Sequence, residues 1–193
     1  MLKLPEPTTA NSIHLAGWLR SGDRVLVGQA SGEPAILMRL LGEVASECDR
    51  LTAIIGATLG TLGGIENGLM FASYGALGTA AKLPEVSLTV LPLHYSQFIA
   101  RIVDGRLSCD VVFVQLSTPD EKGRVFLGMG DLHLIDAARR ARVVCAEINP
   151  RVPRTPGTLW PSDLPVHVTV TAEGAPLSPA VSEATADNRA VAA

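Results

Sequence analysis

The sequence predicts an α/β protein with an open, largely parallel sheet lying between two layers of helices. Short apolar runs alternate with helical patterns along the chain, which indicates βαβ units. Hydrophobic residues make up 47% of the chain but aromatic residues only 4%, so valine, leucine, isoleucine and alanine must fill the core. That composition, together with 18 glycines, favours buried parallel strands joined by tight turns over an antiparallel sandwich.

Several segments have the short, apolar character of strands. The first follows the turn Ser21-Gly22-Asp23, and the last alternates apolar and polar residues as an edge strand does. The predicted strands are residues 24–28, 51–56, 87–91, 111–116, 143–148 and 166–171.

Three other segments repeat apolar residues at helical spacing. Residues 33–44 form the first predicted helix, with Pro34 in its first turn, where a missing N–H costs nothing. The second is predicted at residues 95–103. Asp131 is a favourable N-cap for the third, whose apolar face begins at Leu134.

Charge, cysteines and histidines exclude several classes of protein. The net charge is −3, and no basic face accompanied by aromatic side chains is evident, which argues against nucleic-acid binding. The three cysteines are far apart in apolar surroundings and are expected to be reduced core thiols. The four histidines have no metal-ligand spacing, so no metal is expected.

The chain also lacks the patterns of secreted and membrane proteins. Its first residues have neither a basic region nor an apolar core of a signal peptide, and no apolar run reaches the ~18 residues that span a bilayer. We therefore expect a soluble, cytoplasmic protein without membrane contact. Its length suits one domain, predicted at residues 1–172, followed by a linker-like tail of alanine, serine, proline and glutamate at residues 173–193.

A glycine-bearing turn between the first predicted strand and helix is a candidate binding site. Backbone N–H groups at the start of a helix attract anions, because the helix dipole adds to their own partial charge. The alternative is an ordinary turn whose glycines only let the chain reverse. The turn is neither a phosphate-binding Walker loop nor a nucleophile elbow, so it predicts contacts to substrate and no nucleophile. The candidate contacts are Gly28, Gln29, Ser31 and Gly32.

A second glycine-rich stretch, residues 56–78, contains five glycines between positions 56 and 68. This is too many for a stable helix, so the first part of the stretch is predicted to be a loop. Glycines let the backbone approach a ligand closely, which slightly favours a substrate-covering loop over a plain surface excursion.

Polar side chains close the predicted strand at residues 111–116. Gln115 and Ser117 end that strand, which then breaks at Pro119 and turns at Gly123. Ligands of open α/β sheets bind outside the carboxyl ends of the strands. The amide and the hydroxyl are therefore predicted to open into a cleft shared with the turn after the first strand and to hydrogen bond a carbonyl. The alternative is a turn that caps the following segment.

The strand at residues 143–148 leads into a rigid loop with prolines at positions 150, 153 and 156. Glu147, Asn149, Arg151 and Arg154 lie in this region. The loop could shape a pocket or stiffen a connection to another domain, and the residues favour neither interpretation.

The order of motifs from residue 110 to 157 resembles the N-terminal domain of the acetyl-CoA hydrolase/transferase family, which includes the 4-hydroxybutyrate and acetate CoA-transferases. The resemblance is firm over about residues 84–157 and faint before them. One departure is Thr118, where the family often has a second proline. The matching residues are Gln115, Ser117, Pro119, Asp120 and Gly123, then Gly128 and Asp131, then Val144, Glu147, Asn149, Pro153, Arg154, Thr155 and Gly157.

The resemblance implies a fold of the CoA-transferase type and a two-step carboxylate chemistry. In that family a glutamate attacks an acyl-CoA thioester, becomes a glutamyl-CoA thioester, and passes CoA to an acceptor carboxylate. That glutamate belongs to the C-terminal domain, so no catalytic nucleophile is assigned to this chain. Glu147 is expected to be structural or to support the residues that contact the substrate. His94, in the stretch that precedes the main motifs, is a further candidate contact.

The expected substrates are therefore coenzyme A, as acyl-CoA, and a small carboxylate. The expected partner is a C-terminal half or a second subunit, in a homo- or hetero-oligomer. Two alternatives stay open: a non-catalytic module that binds CoA or a partner, and a domain like the sugar-phosphate isomerases. For the second, the sequence shows no convergent set of acid and base residues.

Overall fold

A computed structural model describes residues 4–6, 8–9, 12–180 and 183–192 of the chain. The strands in this part are β1 (Arg24–Val27), β2 (Thr52–Ile55), β3 (Met70–Ser73), β4 (Leu88–Val90), β5 (Val111–Ser117), β6 (Val143–Asn149) and β7 (Val168–Thr171). The helices are α1 (Ala35–Val44), α2 (Tyr95–Val103), α3 (His133–Ala138) and α4 (Ala186–Ala192).

The strands form one seven-stranded sheet in the order β4-β3-β2-β1-β5-β6-β7. Every pair of neighbours is parallel. The chain builds outward from β1 to β4 and then returns to the other side of β1 to begin β5. The direction of winding reverses between β1 and β5, and ligands of such sheets bind at this point, beyond the carboxyl ends of the strands.

Alternate residues of each strand face opposite apolar layers. Val27 and Phe113 belong to the layer that contains the buried side chains of α1. Leu26 and Val112 belong to the layer that contains α2 and α3. Because side chains alternate along a strand, both faces of the sheet are buried, and the predicted three-layer α/β fold is confirmed.

The predicted strands are all present, with ends that differ by at most two residues. The sequence missed β3, a strand of four residues preceded by Gly68 and followed by Gly75. The prediction that Asp131 caps the third helix is wrong, because α3 begins at His133 and its N-cap is Leu132. The Asp131 carboxylate has longer-range partners instead.

The two edges of the sheet differ. At β7, the N–H of Thr8 donates to the carbonyl of Thr169, and the N–H of Thr171 donates to the carbonyl of Thr8, both at 3.1 Å. At the other edge, β4 pairs only with β3 among the described strands. Cys48 and Cys145 are buried in the core, as predicted, whereas Cys109 is only half-buried. None of the described helices combines the length and apolarity needed to cross a membrane.

Candidate functional site

The turn from β1 to α1, residues 28–34, lies where the winding of the sheet reverses. A Cβ atom on Gly28 would lie 2.6 Å from the carbonyl oxygen of Gly32, and one on Gly32 would lie 2.9 Å from the Cα of Gly130. Only glycine fits at these two positions. Between them, Ala30 has a φ of 51°, a left-handed conformation that L-residues other than glycine rarely adopt.

The Gln29 side chain reaches from this turn across the α2–α3 side of the sheet edge. Its Oε1 accepts hydrogen bonds from the Tyr74 hydroxyl at 3.0 Å and the Ala57 N–H at 3.1 Å. Its Nε2 donates to Asp131 Oδ2 at 2.8 Å and to the Tyr95 hydroxyl at 3.1 Å. An amide has two donor hydrogens and an acceptor oxygen with two lone pairs, so its hydrogen-bonding capacity is fully used by protein groups.

We call Gln29, Tyr74, Tyr95 and Asp131 the Gln29 cluster. The Tyr95 hydroxyl also donates to Asp131 Oδ1 at 2.9 Å, which closes a ring of hydrogen bonds. Burial and then the hydrogen bond to Asp131 raise the pKa of Tyr95, and burial and the Asp131 charge raise the pKa of Tyr74. Both tyrosines therefore remain protonated donors near neutral pH.

Aromatic rings pack against the Gln29 cluster. The ring of His133 lies edge-on to Tyr95, with centroids 6.4 Å apart, and edge-on to Phe98 at 6.0 Å. Burial lowers the pKa of His133, against the opposing charges of Asp131 and Asp136, so its ring packs as a neutral group.

A second polar cluster, Glu33, Gln115 and Glu147, lies on the α1 side of the same edge. Gln115 Nε2 donates to the carbonyl oxygen of Glu33 at 3.3 Å and to Glu147 Oε1 at 3.2 Å. Glu147 Oε2 accepts from the N–H of Ile36 in the first turn of α1 at 2.8 Å. Gln115 and Glu147 are register partners on β5 and β6. We call these three residues the Glu33 cluster.

The Glu33 carboxylate attaches the glycine-rich loop to the start of α1. Its Oε2 accepts hydrogen bonds from the N–H groups of Leu59 at 2.8 Å and Gly60 at 3.3 Å. Gly60 permits this contact, since a Cβ atom there would lie 2.5 Å from Glu33 Oε1. This part of residues 56–78 is thus held on the protein by Glu33.

The Glu33 cluster is deeply buried and incompletely hydrogen bonded. Glu33, Gln115 and Glu147 are 1%, 2% and 2% exposed, and neither Glu33 Oε1 nor Gln115 Oε1 has a hydrogen-bond partner among the described residues. Burial raises the pKa of Glu33 and of Glu147, although N–H donors partly offset the effect, and the Glu33 charge raises the pKa of Glu147 further. The surroundings therefore favour a proton on these carboxyl groups.

The side chains predicted to contact substrate differ in their exposure to solvent. Ser31 is half-buried on the turn, and His94 is exposed immediately before α2. Gln115 and Ser117 are 2% and 1% exposed. Ser117 Oγ donates to the Thr118 carbonyl at 2.9 Å and accepts from the Phe126 N–H at 3.1 Å.

The carboxyl end of β5 shares its edge with the β1–α1 turn, as predicted. However, the Gln115 side chain points to the buried α1 side, and the Ser117 hydroxyl is buried against Thr118 and Phe126. The expectation that these two side chains open into a cleft is therefore wrong.

The sequence interpretation missed Tyr74, Tyr95, Asp131 and the carboxylate of Glu33 as members of polar clusters. One signal was available, because the chain has two tyrosines in all, and both follow strands of the same half of the sheet. Tyr74 could be placed only by knowing that β3 exists.

A cleft of about 550 Å³ lies between α1 and the glycine-rich loop, and its lining includes Gly42, Leu59 and Gly60. Leu177, from the segment after β7, lines it too. This segment is attached nearby, where Asn149 Nδ2 donates to the carbonyl of Gly174 at 3.1 Å. Among the described residues, no three histidine, cysteine, aspartate or glutamate side chains lie close enough together to hold a metal ion.

The chain is thus an α/β protein with a doubly wound parallel sheet, and its polar clusters lie at the reversal point, where sheets of this class generally bind ligands. Solved CoA-transferases share this fold. The chain aligns with 4-hydroxybutyrate CoA-transferase from Porphyromonas gingivalis at 20% identity and a TM-score of 0.61, over 90% of this chain and 41% of that one. Glutaconate coenzyme A-transferase from Acidaminococcus fermentans aligns at 12% identity and a TM-score of 0.55, over 86% and 75%.

RipA from Yersinia pestis is more similar in structure. It aligns at 19% identity and a TM-score of 0.79, over 93% of this chain and 45% of RipA. The chain thus spans less than half the length of RipA and of the 4-hydroxybutyrate enzyme. It matches no protein-family model and no curated protein sequence. At these identities the likeness is one of fold.

Proposed function

We propose that this chain is the N-terminal half, or one subunit, of an acyl-CoA:carboxylate CoA-transferase or acyl-CoA hydrolase. The observation that carries the proposal is the alignment of 90% of the chain with less than half of a 4-hydroxybutyrate CoA-transferase. The ordered motifs from Gln115 to Gly157 support it independently of the fold. The substrates would be an acyl-CoA and a small carboxylate, and residues 173–193 would lead toward the second half.

The nucleophile of this proposed reaction would lie on the other half. A glutamate carboxylate attacks the thioester carbonyl and expels the CoA thiolate, which gives an acyl-glutamyl anhydride. The thiolate then attacks the glutamyl carbonyl and releases the first carboxylate. The resulting glutamyl-CoA thioester transfers CoA to the acceptor by the same two steps in reverse.

The carboxylates at the edge of this chain are poorly suited to that attack. Glu33 and Glu147 are buried, with raised pKa values, and their oxygens accept hydrogen bonds from backbone N–H groups. A nucleophile must be ionised and must reach the thioester. We therefore assign both residues to the framework of the site.

What this chain would supply is a surface for the reacting carbonyl. On the β1–α1 turn, Gly28 and Gly32 shape the backbone, since their own N–H groups already donate to the carbonyls of Phe113 and Gln29. The half-buried Ser31 carries a hydroxyl at this reversal point of the sheet, and His94 is exposed at the start of α2. Such donors stabilise the oxyanion of each tetrahedral step. Gln29, Gln115 and Ser117 would act through the backbone that they hold.

The test compares the purified chain with the chain plus a separately produced C-terminal domain of a CoA-transferase of this fold. The chain alone should transfer no CoA from acetyl-CoA to any of a panel of carboxylates, whereas the mixture should. Borohydride treatment during turnover should mark a glutamate of the second polypeptide. Turnover by the isolated chain, or a mark on Glu33 or Glu147, would overturn the assignment.

A non-catalytic CoA-binding module is the second candidate, favoured by the burial of both edge carboxylates. Calorimetry and the transfer assay together distinguish the two candidates. A binding module would bind CoA as the isolated chain and show no turnover after reconstitution, whereas a transferase half would show turnover after reconstitution.

A further inference from the structure

The Gln29 side chain lies at the proposed ligand-binding edge, yet its amide is fully occupied by Tyr74, Ala57, Asp131 and Tyr95. We propose that Gln29 is a positioning residue, which holds Ala30 in its left-handed conformation and so fixes the backbone of the β1–α1 turn. The ligand-binding purpose of that turn rests on the proposed function, whereas the positioning itself does not.

The conformation of Ala30 needs a restraint. A non-glycine residue populates the left-handed region roughly ten times less readily than the right-handed one, because its Cβ approaches the following carbonyl. Strain of this kind persists only where the surroundings hold it, and it is concentrated at functional sites. Ala30 is therefore a point at which the turn would relax if its neighbours allowed it.

Gln29 and Ala30 both form hydrogen bonds with Ala57, just after β2. Ala57 donates its N–H to Gln29 Oε1 at 3.1 Å and accepts at its carbonyl from the Ala30 N–H at 2.7 Å. The two bonds close a small ring that links the turn to β2. The Gln29 side chain fits because Gly56 has no Cβ, since one would lie 1.6 Å from Gln29 Oε1.

The opposite side of the turn is held by the segment before α3. Gly32 packs directly on Gly130, and the next residue, Asp131, accepts from Gln29 Nε2 at 2.8 Å. The turn is thus fixed between β2 and the β5–α3 connection, and Gln29 bonds to both. Without this amide, Ala30 would keep only its backbone bonds to Ala57 and Glu33, and the turn would lose its side-chain bonds to both neighbours.

The experiment measures amide hydrogen exchange in the isolated chain for residues 28–34 and 56–60. Q29M removes all four hydrogen bonds at nearly constant side-chain length and should speed exchange in both segments about tenfold or more. Y74F removes a single bond to Gln29 and should act in the same direction by less, which keeps the test valid if Q29M folds poorly. Q97M is the matched control, because Gln97 is an exposed glutamine that accepts one backbone bond, from His94.

A rescue distinguishes positioning from general loss of packing. Glycine adopts a positive φ without strain, so Q29M/A30G should recover most of the protection that Q29M loses. A purely structural loss of hydrogen bonds would not be repaired by deleting a methyl group. Unchanged exchange in Q29M, or a double variant that exchanges as fast as Q29M or faster, would overturn the proposal.

Activity supplies a separate readout in the reconstituted enzyme. Q29M should lower kcat more than it raises KM, and A30G should restore kcat in the double variant. If the exchange results hold and no combination ever transfers CoA, the proposed function fails while the positioning role of Gln29 stands. If transfer occurs and exchange in Q29M is unchanged, the positioning role of Gln29 fails while the proposed function stands.

Discussion

Two polar clusters arise from the same turn and differ in how completely their hydrogen bonds are made. Gln29 reaches to the α2–α3 side, where each of its amide groups has protein partners. Glu33, four positions later, reaches to the α1 side, where two buried oxygens have no partner in the part of the chain that the structure describes. The Gln29 cluster is partly open to solvent, and the Glu33 cluster is not.

The two clusters show two ways in which polar groups can be held at the edge of a sheet. A fully bonded amide sets a geometry that does not change with protonation. Buried carboxyl groups with raised pKa values instead have a charge that responds to pH and to neighbouring groups. An unpartnered buried oxygen also costs free energy, so the Glu33 cluster is the less stable of the two arrangements and the more sensitive to substitution.

The largest effect is expected from Glu147→Ala. Removing this carboxyl group leaves the N–H of Ile36 and one N–H of the Gln115 amide without an acceptor in a buried site, and leaves a cavity as well. We expect a loss of about 2–4 kcal/mol in the free energy of unfolding, measured by urea denaturation.

Glu147→Gln, which keeps the shape and one acceptor oxygen, is the matched control and should cost clearly less. An alanine variant within about 0.5 kcal/mol of wild type would mean that the cluster contributes nothing to stability.

A smaller effect is expected on the Gln29 side, from Gly56→Ala. The new methyl group would overlap Gln29 Oε1, at 1.6 Å, and force the amide from its place. Overpacking of this kind costs about 1–3 kcal/mol, and the same urea titration measures it.

Gly63→Ala serves as the comparison, since Gly63 is a glycine of the same loop with no atom within 4 Å of the added Cβ. Equal losses for the two variants would show that glycine flexibility in the loop, and not contact with Gln29, sets the effect.

The smallest effect is a pH dependence confined to the Glu33 cluster. The pKa of Glu33 is raised above its ordinary value of 4.5 by burial, so the folded state binds a proton more tightly than the unfolded state. The stability that this proton contributes is fully present below pH 4.5 and is lost as pH rises through the raised folded pKa.

Glu33→Gln should therefore flatten the decline of unfolding free energy with rising pH above 4.5. Glu43→Gln removes the same charge from the exposed side of α1 and should leave the decline as it is. Parallel pH curves for wild type and Glu33→Gln would contradict the assignment.

The sequence predicted the layers and most strands because local patterns determine them. Long apolar runs such as Val111–Ser117 can be predicted as strands without any tertiary information. β3 is short, lies between glycines and begins with the exposed Met70, so its strand conformation depends on pairing with Thr52–Ile55.

The site was less predictable, because its contacts join distant parts of the chain. Asp131 looks locally like a helix cap, and only the fold brings it to Gln29, 102 residues away. The edge on which Gln115 lies follows from parallel strands, whereas the burial of its side chain follows from where α1 packs. Burial by a neighbouring element leaves no trace in the strand itself.

The unequal edges of the sheet limit how copies of the chain can associate through their strands. Thr8 already pairs with the outer side of β7, so within the described part of the chain the edge left for a new strand is β4, where Thr89 and Val90 are exposed. Endless stacking of sheets requires two free edges on every molecule. With one edge closed, two copies can meet β4 to β4 and then stop, so strand addition gives a closed pair and cannot give a fibre.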